Sequence, residues 1–207
     1  MKLALALLFL AVVSVHGHGY LADPLARTSI HIRPDEPYRP PYEWNHSGIE
    51  CRTPPTYGQS GTCLRCGTST DMNSGGAYDK NEITGNYTAG SIIDVVGEMT
   101  ANHRGYFEVE LCMSEVESDY CFSKLPIVGG TEGHLIRIDN RICTSSAGGD
   151  HEDKAVTARV QLPVGFTCNK CTLRWTYRTS YPPAADHCFN PDESVQTFRN
   201  CADITIR

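Results

Sequence analysis

Ten cysteines in a chain of 207 residues constrain its fold more than any other feature. They are Cys51, Cys63, Cys66, Cys112, Cys121, Cys143, Cys168, Cys171, Cys188 and Cys201. The count is even, and every one lies beyond a stretch that reads as an export signal. Met1-Lys2 is a short basic start, and Leu3 to Val15 is an apolar run interrupted only by Ser14. Such a run fits the core of a signal peptide and is too short to span a membrane as a helix. In an exported chain the thiols oxidise, so the cysteines imply a disulfide framework. Two pairs have CxxC spacing, Cys63/Cys66 and Cys168/Cys171. In a reducing compartment they would suggest zinc; here disulfides are expected, with a connectivity that spacing does not give.

Signal peptidases need small residues one and three positions before the cut. A cut after Gly17 meets that with Gly17 and Val15, whereas a cut after Val15 sets a branched side chain beside the bond. The expected organisation is a signal peptide, 1–17, and one secreted, extracellular domain, 18–207, that starts at His18. A histidine at a free N-terminus offers an amine and an imidazole from one residue and can chelate a metal. No later stretch is long and apolar enough for a transmembrane helix.

The formal charge is -6, and loss of Lys2 with the leader makes the chain one unit more acidic. That disfavours nucleic-acid and anionic-membrane partners and suits a neutral one such as a polysaccharide. Asn45-His46-Ser47 and Asn86-Tyr87-Thr88 are N-glycosylation sequons, expected on surface loops.

From His18 to about Tyr57 the chain is Pro-rich with little periodicity, which forbids a long helix and reads as surface loop. Arg27 to Ile32 is a candidate strand within it. Cys51 to Ala89 reads as loop again. Strands then follow at Ser91–Met99, Tyr106–Cys112, Lys154–Leu162, Thr172–Tyr177 and Ala202–Ile206, several alternating apolar and polar residues with period two. Short strands broken by Gly, Pro and Asn turns predict an all-β fold: an immunoglobulin-like or fibronectin III-like antiparallel β-sandwich with long loops, stapled by disulfides.

The histidines beyond the leader show no HExxH or other close zinc spacing, so any metal site is assembled from distant residues. His103 lies in Thr100-Ala101-Asn102-His103-Arg104-Gly105-Tyr106, the turn between the two strongest strands, where a hairpin end would project it rigidly. Phe198 enters the last strand, and by itself is most simply a core aromatic. There is no GxSxG elbow, P-loop or GxGxxG. Tyr20, Tyr38, Tyr42, Trp44 and Tyr57 put aromatics in the N-terminal loops, where they can stack on sugar rings or fill a small core.

Three segments together resemble the lytic polysaccharide monooxygenases, and most closely auxiliary activity family 15 of arthropods and viruses: His18-Gly19-Tyr20-Leu21, Thr100 to Phe107, and Phe198-Arg199-Asn200-Cys201-Ala202-Asp203-Ile204. The resemblance covers essentially the whole chain after the signal. It implies one copper ion, cycling between Cu(II) and Cu(I), in a histidine brace. The amine and Nδ1 of His18 and Nε2 of His103 would be the ligands, a set suited to copper. Because a free amine has a pKa of roughly 8, copper would compete with a proton and bind less well in acid. The resemblance places Phe198 on one axial side and Ala101 on the other, with Gln196 as a nearby group orienting an oxygen species.

The implied reaction is oxidative cleavage of chitin, or of cellulose, at C1 or C4 with O2 or H2O2 and an external electron donor. An insoluble glycan would cover a flat surface to which Tyr20 and Trp44 contribute, and the protein would act as a monomer. Two other functions fit the same fold: a non-catalytic chitin- or carbohydrate-binding protein, and a copper carrier or sensor. The pairing of His18 with His103 argues against the first, and the aromatic loops argue against the second. Neither His187 nor Pro34 to Pro41 matches a family feature.

Overall fold

The computed structural model describes residues 17–52, 62–134, 136–137, 140–145, 154–180, 188–189 and 196–207. Twelve strands run through them in chain order: β1 (His18–Asp23), β2 (Glu50–Arg52), β3 (Gly85–Tyr87), β4 (Ile92–Ala101), β5 (Tyr106–Cys112), β6 (Phe122–Lys124), β7 (Ile127–Gly130), β8 (Ile136–Arg137), β9 (Arg141–Cys143), β10 (Ala155–Gln161), β11 (Cys168–Arg178) and β12 (Gln196–Ile206). They form two sheets packed as a sandwich. One has the order β1-β4-β10-β7; the other runs β2-β12-β11-β5-β9-β8, with β6 on β5 and β3 on β12. Every pairing is antiparallel except β3 with β12.

The two inner faces supply the core. Period two along β11 sends Leu173, Trp175 and Tyr177 inward, and β5 contributes Phe107, Val109 and Leu111; all six are fully buried. Burying aromatics of that size removes the most apolar area from water per residue, which is why they dominate the core. Gly97 of β4 lets Trp175 approach: a Cβ there would meet the indole ring at 2.8 Å.

The outer face of the larger sheet is covered as well. The loop-rich segments before β4 lie across it, and Arg27 is buried beneath them. Its guanidinium donates to Asp203 at 2.6 and 2.7 Å, to Glu117 at 2.8 Å and to Thr172 at 2.9 Å. Mutual pairing offsets the desolvation of these three charges; Arg27 lies above its ordinary pKa despite burial, and Glu117 below its own. A smaller cluster of Ile49, Cys66, Met72 and Cys201 fills the space beside them.

All ten cysteines are paired: Cys51–Cys63, Cys66–Cys201, Cys112–Cys121, Cys143–Cys188 and Cys168–Cys171. The first CxxC is therefore divided between two bridges, and the second closes on itself.

The sandwich and its main strands match the sequence expectation, but several local features do not. Arg27–Ile32 is a 3₁₀ helix rather than a strand, because Arg27 to Ile30 are buried and the tight turn brings Arg27 onto the sheet. His18–Asp23, expected as loop, is strand β1 along the edge of β4, with Leu21 fully buried. Finally, β4 and β5 lie in different sheets, so the turn carrying His103 is a crossover and not a hairpin end. β4 is flanked by β1 and β10 and has no free edge for β5.

Candidate metal centre

One end of the sandwich gathers the start of β1, the crossover after β4 and the start of β12. His18 opens β1 opposite Ala101, the last residue of β4. Phe198 of β12 is fully buried and stacked between two rings, His18 at 6.4 Å and Tyr177 at 5.8 Å between centroids. Gln196 begins β12 and its amide is fixed at both ends: Nε2 donates to Glu50 Oε2 at 2.8 Å, and Oε1 accepts the backbone N–H of Gly17 at 2.8 Å. These two bonds decide which end of the amide is oxygen.

The crossover is rigid through polar contacts, since it has no ladder of its own. The Tyr177 hydroxyl accepts the His103 N–H at 2.9 Å and donates to the Arg104 carbonyl at 2.8 Å. Ser180 N–H donates to the His103 carbonyl at 3.1 Å. Asn102 is buried; its amide donates to the Thr144 carbonyl at 2.6 Å and accepts the Arg104 N–H at 2.8 Å. Gly105 has φ +91°, and a Cβ on it would collide with the Arg178 carbonyl, so only glycine serves there. Burial raises the Tyr177 pKa and keeps its hydroxyl a neutral donor.

Gly17 lies against His103. A Cβ built on it would sit 3.1 Å from Cγ and Nδ1 of the His103 ring and 2.9 Å from Gln196 Oε1. The residue just before His18 is thus wedged between the second histidine and the glutamine. His18 and His103 each bring an imidazole to this end of the sandwich, and imidazole nitrogen is a ligand type that copper accepts. Among the described residues no group of three or more His, Cys, Asp and Glu side chains is arranged to hold a metal.

A second feature starts at Tyr20. Its ring meets His46 edge-on at 4.7 Å, His46 meets His31 at 5.0 Å, His31 meets Trp44 at 5.1 Å, and Trp44 meets Tyr42 at 5.3 Å. The run ends outward: Trp44 is 73% and Tyr38 82% exposed. Burial lowers the pKa of both His31 and His46, and His31 adds to the effect on His46.

Of the residues singled out in the sequence, His18, Ala101, His103, Gln196 and Phe198 come together, and Trp44 is exposed. Tyr20 is a correction. It is 6% exposed, and its hydroxyl donates to Glu98 Oε2 at 2.9 Å, so it underpins the aromatic run instead of meeting a surface ligand. Burial and the Glu98 bond push its pKa up to about 12. Asn45 and Asn86 are exposed, although Asn86 lies in a strand and not a loop. His187, Tyr57 and the residues before Gly17 fall outside the described residues. Sequence reasoning passed over Glu50, Asn102, Thr144 and Tyr177; only Tyr177 carried a signal, as an inward position of an alternating strand.

A family model described as lytic polysaccharide mono-oxygenase, cellulose-degrading, matches residues 18–204. Among solved structures, the chain is similar to the lytic polysaccharide monooxygenase AA15 from Thermobia domestica in the Cu(I) state. The identity is 29%, over 91% of this chain and 98% of that one, with a TM-score of 0.67. A polysaccharide monooxygenase CBM33 is 14% identical over 92% and 100%, with a TM-score of 0.47. A chitin binding domain from Burkholderia pseudomallei is 11% identical over 93% and 100%, with a TM-score of 0.48. No curated protein matches the chain.

Proposed function

The chain belongs to the lytic polysaccharide mono-oxygenase family, and on that premise we propose that it is a secreted copper enzyme that cleaves chitin oxidatively. Residues 1–17 are the export signal, and residues 18–207 form one catalytic domain acting as a monomer. His18 holds copper through its freed amine and its Nδ1, and His103 through an imidazole nitrogen, Nε2 by the family resemblance.

The observation that carries this reading is the wedge made by Gly17 against His103 and Gln196. In the uncut chain the His18 nitrogen is an amide, its lone pair delocalised into the Gly17 carbonyl. Cutting after Gly17 turns that nitrogen into an amine and clears the space beside the His103 ring. The start of the family match at residue 18 and the Cu(I) state of the similar Thermobia domestica structure support it.

Copper bound there supplies the one-electron chemistry that lets O2 or H2O2, with an external electron donor, oxidise a sugar C–H bond. The protein's own groups set the surroundings. Phe198, stacked on the His18 ring, would set beside the metal a ring that has no ligand atom, and Ala101, opposite His18, would leave only a methyl group there. The Gln196 amide oxygen, released from Gly17 by the cut and oriented through Glu50, directs a polar oxidant. Trp44 and Tyr38 present aromatic faces on which sugar rings stack. Chitin is the favoured substrate by resemblance to arthropod and viral enzymes; cellulose stands second, because the matched family is described as cellulose-degrading.

The test is mass spectrometry of the secreted protein's N-terminus, then copper titration and analysis of products from chitin and cellulose with a reductant. A chain starting at His18, tight copper binding lost in His103→Ala, and oxidised oligosaccharides are expected. An N-terminus other than His18, or unchanged copper affinity in His103→Ala, overturns the ligand assignment. Tight copper with no oxidised product on either glycan overturns the catalytic assignment.

A further inference from the structure

The outer face of the larger sheet carries a cleft that the reaction does not use. Alternation along β11 and β12 sends Arg174 and Arg199 outward where Trp175 and Phe198 point into the core. With Arg65 from the loop above, they line a cleft of about 420 Å³, together with Leu64, Asn73 and Asp119.

The three guanidinium groups are unequally neutralised. Arg65 donates to Asp119 at 2.9 Å and to Glu117 at 3.4 Å. Arg174 donates through Nε to Glu110 at 2.7 Å and lies 3.8 Å over the Phe122 ring. Arg199 has only neutral acceptors, the Thr176 hydroxyl at 3.1 Å and the Leu64 carbonyl at 3.0 Å, and forms no ion pair among the described residues. A guanidinium has five N–H donors in a rigid fork, so most of the Arg199 donors remain for something else. Burial, with Arg174 beside it, pushes Arg199 down to about 10, which still leaves it charged at neutral pH. A partly buried cation with no directly paired counter-ion is costly; Glu110 and Glu108 act on Arg199 only at a distance, and the protein is acidic, with an overall field that does not favour anions. Of the lining residues, only Asp119 opposes an anion, and it is itself engaged with Arg65.

We propose that this cleft is a binding site for an oxyanion, a carboxylate, sulfate or phosphate group, taken between Arg199, Arg174 and Arg65. Planar and tetrahedral oxyanions match the guanidinium fork. The group arrives either as a free inorganic ion or on an acidic sugar.

Calorimetric titration of the secreted protein with inorganic sulfate, inorganic phosphate and glucuronate, at fixed ionic strength in chloride, tests this. Saturable binding is expected, weakened about tenfold or more in Arg199→Gln and tightened several-fold in Asp119→Asn, which removes the one carboxylate lining the cleft. Arg159→Gln, on the exposed face of the other sheet, should leave it unchanged. Stronger binding of glucuronate than of sulfate or phosphate assigns an acidic sugar, and the reverse assigns a free ion. Absence of saturation with all three, or equal affinity in wild type, Arg199→Gln and Asp119→Asn, overturns the proposal. The Asp119→Asn arm reads out even if Arg199→Gln fails to fold.

Discussion

The hydroxyl of Tyr177 accepts the backbone N–H of His103 at 2.9 Å. Through this bond a fully buried core aromatic of β11 fixes a loop residue at the surface end of the sandwich. The same hydroxyl donates to Arg104, so one atom satisfies two main-chain groups of the crossover. Tyr177→Phe keeps the ring and strands both. Leaving a buried polar group unpaired costs about 1–3 kcal/mol, so the variant should unfold at lower denaturant. Copper should also bind less tightly, because His103 is no longer held. Chemical denaturation and copper titration read the two effects; a variant as stable as wild type would show that Ser180 and Asn102 suffice to hold the turn.

The Glu50 carboxylate is tied to the proposed centre through Gln196, from whose Nε2 it accepts a hydrogen bond at 2.8 Å. Glu50→Leu removes that anchor without touching a proposed ligand. Oxidative turnover should fall about tenfold, the scale at which misplacing a positioned group is felt, while copper affinity changes far less. A parallel loss of copper affinity would make Glu50 a structural prop of the site instead.

Trp44 is largely exposed, and its ring rests on His31 and Tyr42. Trp44→Ala should weaken adsorption to the insoluble glycan by about fivefold, or ~1 kcal/mol, the usual worth of one aromatic contact. Stability should change by less than about 0.5 kcal/mol, as for most surface substitutions. Pull-down isotherms on chitin and cellulose distinguish a sugar-stacking face from an inert one.

His31 and His46 both have lowered pKa values, from burial and, for His46, from His31. The unfolded chain therefore binds protons at these positions more readily than the folded one. Their contribution to stability is complete above the unfolded value of about 6.5 and is lost as pH falls below it. Glu43 and Glu98 face the pair and moderate the effect. Melting temperature followed from pH 8 to pH 5, values taken from the ordinary range around about 6.5, should drop less steeply in His46→Gln than in wild type. Parallel curves would remove the pair from the acid response.

The strands of the core were legible because Tyr106–Cys112, Lys154–Leu162 and Thr172–Tyr177 repeat the period of a half-buried sheet. β1 was not, because Gly19 and the nearby Pro24 dilute its pattern, and only its partner β4 makes it a strand. Asp203 and Thr205 look like a solvent face in sequence; Arg27 and the loops above bury them, a long-range pairing that no local pattern carries. His18, His103 and Phe198 were found because three separated motifs resemble one family. The residues that hold them, Tyr177, Asn102, Thr144 and Glu50, act through hydrogen bonds between distant segments and leave no spacing to find.

Among the described residues β1 is the first strand and β12 the last, so the proposed centre joins segments far apart in the sequence. A ribosome delivers His18 some 180 residues before Gln196 and Phe198, as their numbers in the chain require. A chain that stops before β12 has His18 and His103 but neither Gln196 nor Phe198 to set beside them. Such a chain lacks an inner strand of the larger sheet and two residues of the centre at once. A copy of that kind should fail as a fold, because β12 is the strand on which β11, β2 and β3 all pair.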